Sequence, residues 1–128
     1  MRILGIGVDI IQNKRIKSLI KNKLFISRTF SPNEIKFSKK LMNKTNYFAK
    51  RFAAKEALAK SFGTGFRENL NLKDIEILND KRGKPFYHKT KKIDAMINKR
   101  FKIKKYNLFL SISDEKDYSI AFTMLQTK

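Results

Sequence analysis

Cysteine is missing from the 128 residues of this chain, and histidine occurs once, as His88. The first absence excludes disulfides, thiolate zinc sites and cysteine nucleophiles, and it fits a reducing compartment. The second leaves neither a histidine-rich metal site nor a histidine-based triad within one chain. No apolar run approaches the ~20 residues that span a bilayer. The N-terminal stretch MRILGIGVDII is interrupted by an acid and lacks a small-residue cleavage site, so a cytoplasmic protein is expected. Proline, glycine and serine nowhere gather into a linker, and no repeat or low-complexity block divides the chain. A single domain over residues 1–128 is the reading.

Acids are scarce as well. Eleven Asp and Glu stand against 30 Lys and Arg, a formal net charge of +19. Such a field draws polyanions: nucleic acid, an anionic membrane, a phosphorylated small molecule or an acidic protein. A lysine-biased proteome is the plainer source of the same count. The hydrophobic fraction of 41%, with 11 Phe, is enough to bury a core despite the charge.

Taken in order, the chain begins with a buried strand expected over 2–8, bracketed by Gly5 and Gly7 and delivering Asp9 at its end. A basic helix is expected over 13–22, with Ile16, Leu19 and Ile20 inward and Lys14, Arg15, Lys17 and Lys21 outward. Ser31-Pro32-Asn33-Glu34 carries an N-cap serine, a proline at the first helical position and a glutamate that closes a capping box. That helix should run to about residue 42. A longer helix follows over 45–62, rich in Ala and Leu and stopped by Gly63. A strand over 75–78, a turn over 79–85 around Gly83 and Pro85, and a short strand over 86–88 come next. The spacing of Ile93, Met96, Ile97 and Phe101 predicts a helix over 90–101. Alternating residues 106–113 and 118–125, separated by Asp114-Glu115-Lys116-Asp117, read as a hairpin. These runs describe an α+β domain: a mainly antiparallel sheet packed on a central helix.

The stretch RFAAKEALAKSFGTG, residues 51–65, holds the densest chemistry. On a helical wheel Phe48, Phe52, Ala59 and Phe62 share a stripe, yet Lys55 falls inside it and Glu56 at its edge. Charges placed so must be paired, bound to a ligand or snorkelling. Glu56 and Lys60 are one turn apart, which alone suggests an ordinary surface pair. Asp9 after an apolar strand is often a cap, but it becomes a ligand if a second carboxylate meets it. Glu56 is the obvious partner, and two such oxygens suit Mg²⁺, which takes the rest of its shell from water and substrate phosphates. Lys60 with Gly63-Thr64-Gly65 offers a cation, a hydroxyl and bared backbone N–H groups to phosphate oxygens, although a glycine C-cap explains the glycines alone. Gly5-Ile6-Gly7 lacks the third glycine of a dinucleotide fingerprint, and there is no P-loop.

Together these stretches resemble the holo-acyl-carrier-protein synthases, the short bacterial phosphopantetheinyl transferases. The resemblance is carried in order by 6–11 (IGVDII) with Arg15-Ile16, by 51–65, by 74–77 (DIEI) with Asn79-Asp80 and Gly83-Lys84-Pro85, and by 110–113 (LSIS). It implies the 4′-phosphopantetheinyl transferase-like fold and transfer of phosphopantetheine from coenzyme A to a serine of apo acyl carrier protein, for fatty acid biosynthesis. Adenosine 3′,5′-bisphosphate is released. By position Asp9 and Glu56 match Mg²⁺ ligands, and Lys60 matches a lysine that stabilises or protonates the leaving group. Arg51, Lys55, Lys60, Gly63, Thr64, Gly65 and Pro85 fall in motifs lining the coenzyme A site. Arg15 matches an arginine that meets the acidic carrier protein. A homotrimer with active sites between subunits is implied, with neither nucleic acid nor membrane as partner. The base that deprotonates the serine is left open between a metal-bound water and a nearby carboxylate. One position departs from the family pattern: Asp114 stands where a histidine is usual. Two rivals remain. One is a small basic nucleic-acid-binding module, which explains the charge but not two acids set in the most apolar stretches. The other is a family member that has lost activity.

Overall fold

The computed structural model describes residues 1–63 and 71–128. Strand β1 (Ile3–Gln12) runs directly into helix α1 (Asn13–Leu19), followed by α2 (Lys23–Thr29), α3 (Pro32–Ser38) and the long α4 (Lys44–Ser61). A 3₁₀ turn (Leu72–Asp74) leads to β2 (Ile77–Asn79), β3 (Pro85–Tyr87), α5 (Lys91–Phe101), β4 (Tyr106–Asp114) and β5 (Tyr118–Thr127). Strands β1, β5 and β4 lie in that order in one antiparallel sheet, and β2 and β3 pair separately. The expected mix of helices with an antiparallel sheet on a central helix is what the chain adopts.

Three local expectations need correction. The first strand continues past Asp9 to Gln12, because Ile10 and Ile11 keep pairing with Ile120 and Ser119 of β5. Asp9 therefore sits within the sheet, opposite Ala121, and not at a strand end. The basic helix stops at Leu19, and a separate helix α2 begins at Lys23, capped by the Asn22 side chain, which accepts from the Leu24 and Phe25 N–H groups. The third helix ends at Ser38, short of residue 42. Its expected capping box is present: Glu34 N–H donates to Ser31 Oγ at 3.1 Å, and Ser31 N–H to Glu34 Oε1 at 2.9 Å.

Helix α4 is the spine. Its small residues Ala49, Ala53, Ala57 and Ala54 are fully buried, so the helix lies close against β1 and β5. Two glycines of β1 set how close. A Cβ on Gly7 would stand 1.9 Å from the Ala57 carbonyl oxygen, and one on Gly5 1.9 Å from that of Ser61. Only hydrogen at those positions lets strand and helix backbones meet. Because Asp9 follows on the same face of β1, this contact presses it toward the middle of α4.

The other face of the sheet is uncovered. Ile6, Val8 and Ile10 are 57%, 51% and 60% exposed, and their cross-strand neighbours Phe122 and Ile120 are 40% and 38% exposed.

Candidate active site

Asp9, Glu56, Lys60 and Arg15 form one electrostatic group where β1, α1 and α4 meet. Lys60 Nζ donates to Asp9 Oδ1 at 3.0 Å and to the Val8 carbonyl at 3.2 Å. The i,i+4 pairing with Glu56 that the helix permits gives way to this bridge across to the strand. Its ammonium side chain remains 55% exposed. Glu56 is left as a half-buried carboxylate near a second one. Burial first, and then the charge of Asp9, push its carboxyl above the usual value, while Lys60 and Arg15 pull it back. The described residues contain no group of three or more His, Cys, Asp or Glu side chains able to hold a metal. Asp9 and Glu56 offer two carboxylates with room left in a cation's shell.

A second group gathers around Arg51, one and a half turns back along α4. Arg51 as a whole is 5% exposed. Its Nη2 donates to Asn79 Oδ1, and its guanidinium carbon lies 4.0 Å from the centre of the Tyr47 ring. Burial lowers its hold on the proton, against the pull of Tyr47 and Glu34. Among the described residues its Nε has no hydrogen-bond partner. A buried orphan donor is costly unless something else accepts from it. Arg51 lines a cavity of about 640 Å³ together with Lys50, Lys81, Asn79, Gly83 and Asp114. Asp114 there accepts from Asn46 Nδ2 at 2.9 Å.

Lys55 is placed elsewhere. Expected at the coenzyme A site, it has no exposed surface and sits in the core. Its ammonium donates to Glu34 Oε1 at 2.7 Å, to the Leu72 carbonyl at 3.1 Å and to the Ile75 carbonyl. Of the readings open to a charge inside an apolar stripe, pairing is the one realised. The partner was legible only in part: the capping motif marks Glu34 as a helix start, but nothing local shows its side chain reaching Lys55. Glu34 Oε2 also accepts from the Ile77 N–H at 3.0 Å, and its carbonyl from Tyr47 at 2.8 Å. One buried glutamate thus ties α3, α4 and β2 together beneath the Arg51 cavity.

Two of the remaining expected site residues, Gly63 and Pro85, are described, and they lie at different elements. Gly63 takes a positive φ of 78° just beyond α4, as a glycine C′ position requires. Pro85 opens β3 opposite Asn79, the partner of Arg51. Thr64 and Gly65 lie outside the described residues. Asn46 and Lys50 join the cavity without having been singled out, since an exposed amide or lysine carries no periodic signal.

A family model described as the 4′-phosphopantetheinyl transferase superfamily matches residues 5–123. The chain is 59% identical over 128 residues to the holo-[acyl-carrier-protein] synthase of Pelagibacter ubique, covering 100% of both chains. It is 45% identical to that of Ehrlichia chaffeensis, covering 98% of each. Among solved structures, the holo-[acyl-carrier-protein] synthase of Neisseria meningitidis is 36% identical with a TM-score of 0.87, covering 98% of this chain and 99% of that one. The synthase of Bacillus anthracis, in complex with CoA (3′,5′-ADP), is 34% identical with a TM-score of 0.83 over 100% of both chains.

Proposed function

The chain belongs to the 4′-phosphopantetheinyl transferase superfamily, and from that premise we propose that it moves 4′-phosphopantetheine from coenzyme A to a serine of apo acyl carrier protein. The serine oxygen forms a bond to the phosphorus that carries pantetheine. The bond from that phosphorus to the bridging oxygen breaks, and adenosine 3′,5′-bisphosphate leaves with the electron pair. Such a transfer asks for charge neutralisation and in-line positioning more than for a covalent nucleophile. The observation that carries the reading is the meeting of Asp9, Glu56 and Lys60, a carboxylate pair with an ammonium, a short way along α4 from an arginine that lines a cavity.

Asp9 and Glu56 would hold Mg²⁺. Repulsion within the pair supports this reading: after burial, the charge of Asp9 is what makes Glu56 bind its proton more tightly, and a divalent cation would relieve that repulsion. Mg²⁺ commonly takes one or two carboxylates and leaves its other positions to water and phosphate oxygens. When bound, the ion supplies positive charge to the pyrophosphate oxygens. Lys60 brings a half-exposed ammonium to the leaving phosphate. Arg51 brings its guanidinium charge to the wall of the adjoining cavity, and Gly63, Thr64, Gly65 and Pro85 are assigned to the coenzyme A site by their match to the family's motifs. Lys55 acts from below as a positioning residue, by holding α4 against α3 and β2.

Arg15, exposed on α1 and close enough to influence Glu56, is assigned to the acidic carrier protein. The uncovered apolar sheet face supports a homotrimer, because a monomer that exposes Ile6, Val8, Ile10 and Phe122 together has a surface suited to copies of itself. No helix among the described residues is long and apolar enough to cross a membrane. The enzyme is assigned to the cytoplasm, and to fatty acid biosynthesis through its carrier-protein substrate. The test is the intact mass of apo acyl carrier protein after incubation with the chain, coenzyme A and Mg²⁺. A gain of one phosphopantetheine that chelator abolishes is expected. No gain on a folded apo carrier would overturn the reading.

A further inference from the structure

Lys14, Lys17, Lys21 and Lys116 converge on one cleft of about 510 Å³. None of their ammonium groups makes an ion pair or hydrogen bond with the described residues. The cleft lies between α1, the start of α4 and the β4–β5 turn. Its walls are held in place. Buried Asn13 donates from Nδ2 to the Glu115 and Lys116 carbonyls at 2.9 and 3.1 Å, accepts from Ser119 at 2.7 Å, and donates from its N–H to the Asp117 carbonyl at 2.8 Å. This fixes the turn carrying Lys116 across from the lysines of α1. Like charges brought together without partners repel, and a fold gains nothing from arranging them so. Only Asp117 among the lining residues is acidic.

We propose that this cleft is a binding site for a phosphate-bearing anion. The lining favours phosphate over an acidic protein helix. Apart from the Asp117 carboxylate it consists of ammonium, amide and hydroxyl groups, donors that suit phosphate oxygens. It includes none of the aromatic or aliphatic side chains that anchor a protein partner. Its size suits a small molecule. Asn43 and Asn46 line both this cleft and the Arg51 cavity, so the two are neighbours along one surface. The phosphate has two possible sources: the far end of a nucleotide seated in the Arg51 cavity, which rests on the coenzyme A reading, or a free oligophosphate, which does not.

Calorimetry on the whole chain separates them, using pyrophosphate, adenosine 3′,5′-bisphosphate and adenosine 5′-monophosphate as probes. Replacing two cleft lysines (Lys17→Gln with Lys21→Gln) should weaken pyrophosphate about tenfold, the scale of losing charge-assisted bonds. Removing the same charge elsewhere (Lys36→Gln with Lys39→Gln) should change it by no more than about twofold, a screened long-range effect. A parallel loss for the bisphosphate, with the monophosphate unchanged, identifies the nucleotide as the source. An unchanged bisphosphate identifies free oligophosphate. The proposal fails if wild type does not bind pyrophosphate, or if both variants lose it equally. It also fails if the cleft variant weakens carrier-protein binding while pyrophosphate is unaffected. Carrier-protein mass gain, measured on the same preparations, keeps this outcome separate from that of the transfer reaction.

Discussion

Glu56 combines two demands that oppose each other. Its carboxyl is raised above the ordinary value by burial and by Asp9, so its charged form is less favourable in the fold than in the unfolded chain. Stability from this group is greatest when it is protonated and falls as pH rises through the raised value. Glu56→Gln should therefore raise the melting temperature at pH 7 in chelator, by a few degrees, with little change at a pH below the ordinary carboxylate range. The same substitution should remove Mg²⁺ binding and Mg²⁺-dependent transfer. A variant that melts lower at pH 7, or that still transfers at the wild-type rate, contradicts the assignment. Lys55 makes the opposite case. Lys55→Ala leaves the Glu34 carboxylate buried without its cation, which costs about 3–5 kcal/mol, whereas replacing both partners by apolar residues of similar volume should cost less. Urea unfolding of the single and double variants measures the difference.

At the scale of elements, the contact between β1 and α4 decides whether Asp9 meets Glu56. Gly7→Ala would drive a methyl into the Ala57 carbonyl, and backbone on both sides leaves no flexible side chain to yield. Strand and helix must separate, at a cost of about 1–3 kcal/mol or more. Mg²⁺ affinity should fall with stability, and an unchanged affinity would show that the two elements are not what aligns the carboxylates. Glu76 links other elements. Burial raises its carboxyl, but hydrogen bonds from Ser31, His88 and Asn33 outweigh it and leave the value depressed. A depressed carboxyl contributes stability above its unfolded value and loses it as pH falls through the folded one. The acid limb of the stability curve should thus flatten in Glu76→Gln, as read by unfolding between pH 5 and 2.

For the whole molecule the sheet face is the open question of surface. Val8→Lys places a charge in the centre of the apolar patch while its side chain points away from α4. In sedimentation the wild type should run as a trimer and this variant as a smaller species, with unchanged helicity and lowered transfer. A monomeric wild type would remove the case for shared sites. The charge of +19 acts at the same scale, by steering acidic protein and phosphorylated cosubstrate toward the enzyme.

Local chemistry was enough for much of this molecule. Helix α4, the capping box at Ser31 and Glu34 and the β4–β5 hairpin all announce themselves through periodicity, caps and alternation, because those signals are set within a few residues. The break between α1 and α2 was invisible for the same reason: Leu19 and Ile20 keep a helical pattern across it, and the Asn22 cap competes only weakly on paper. What folding alone could decide is which distant groups answer which charges. Lys55 finds Glu34 21 residues away, Lys60 turns from Glu56 to Asp9 51 residues away, and Arg51 finds Asn79. A side chain's partner across the core depends on how elements pack, and packing follows from the sum of many contacts rather than from any stretch that can be read by itself.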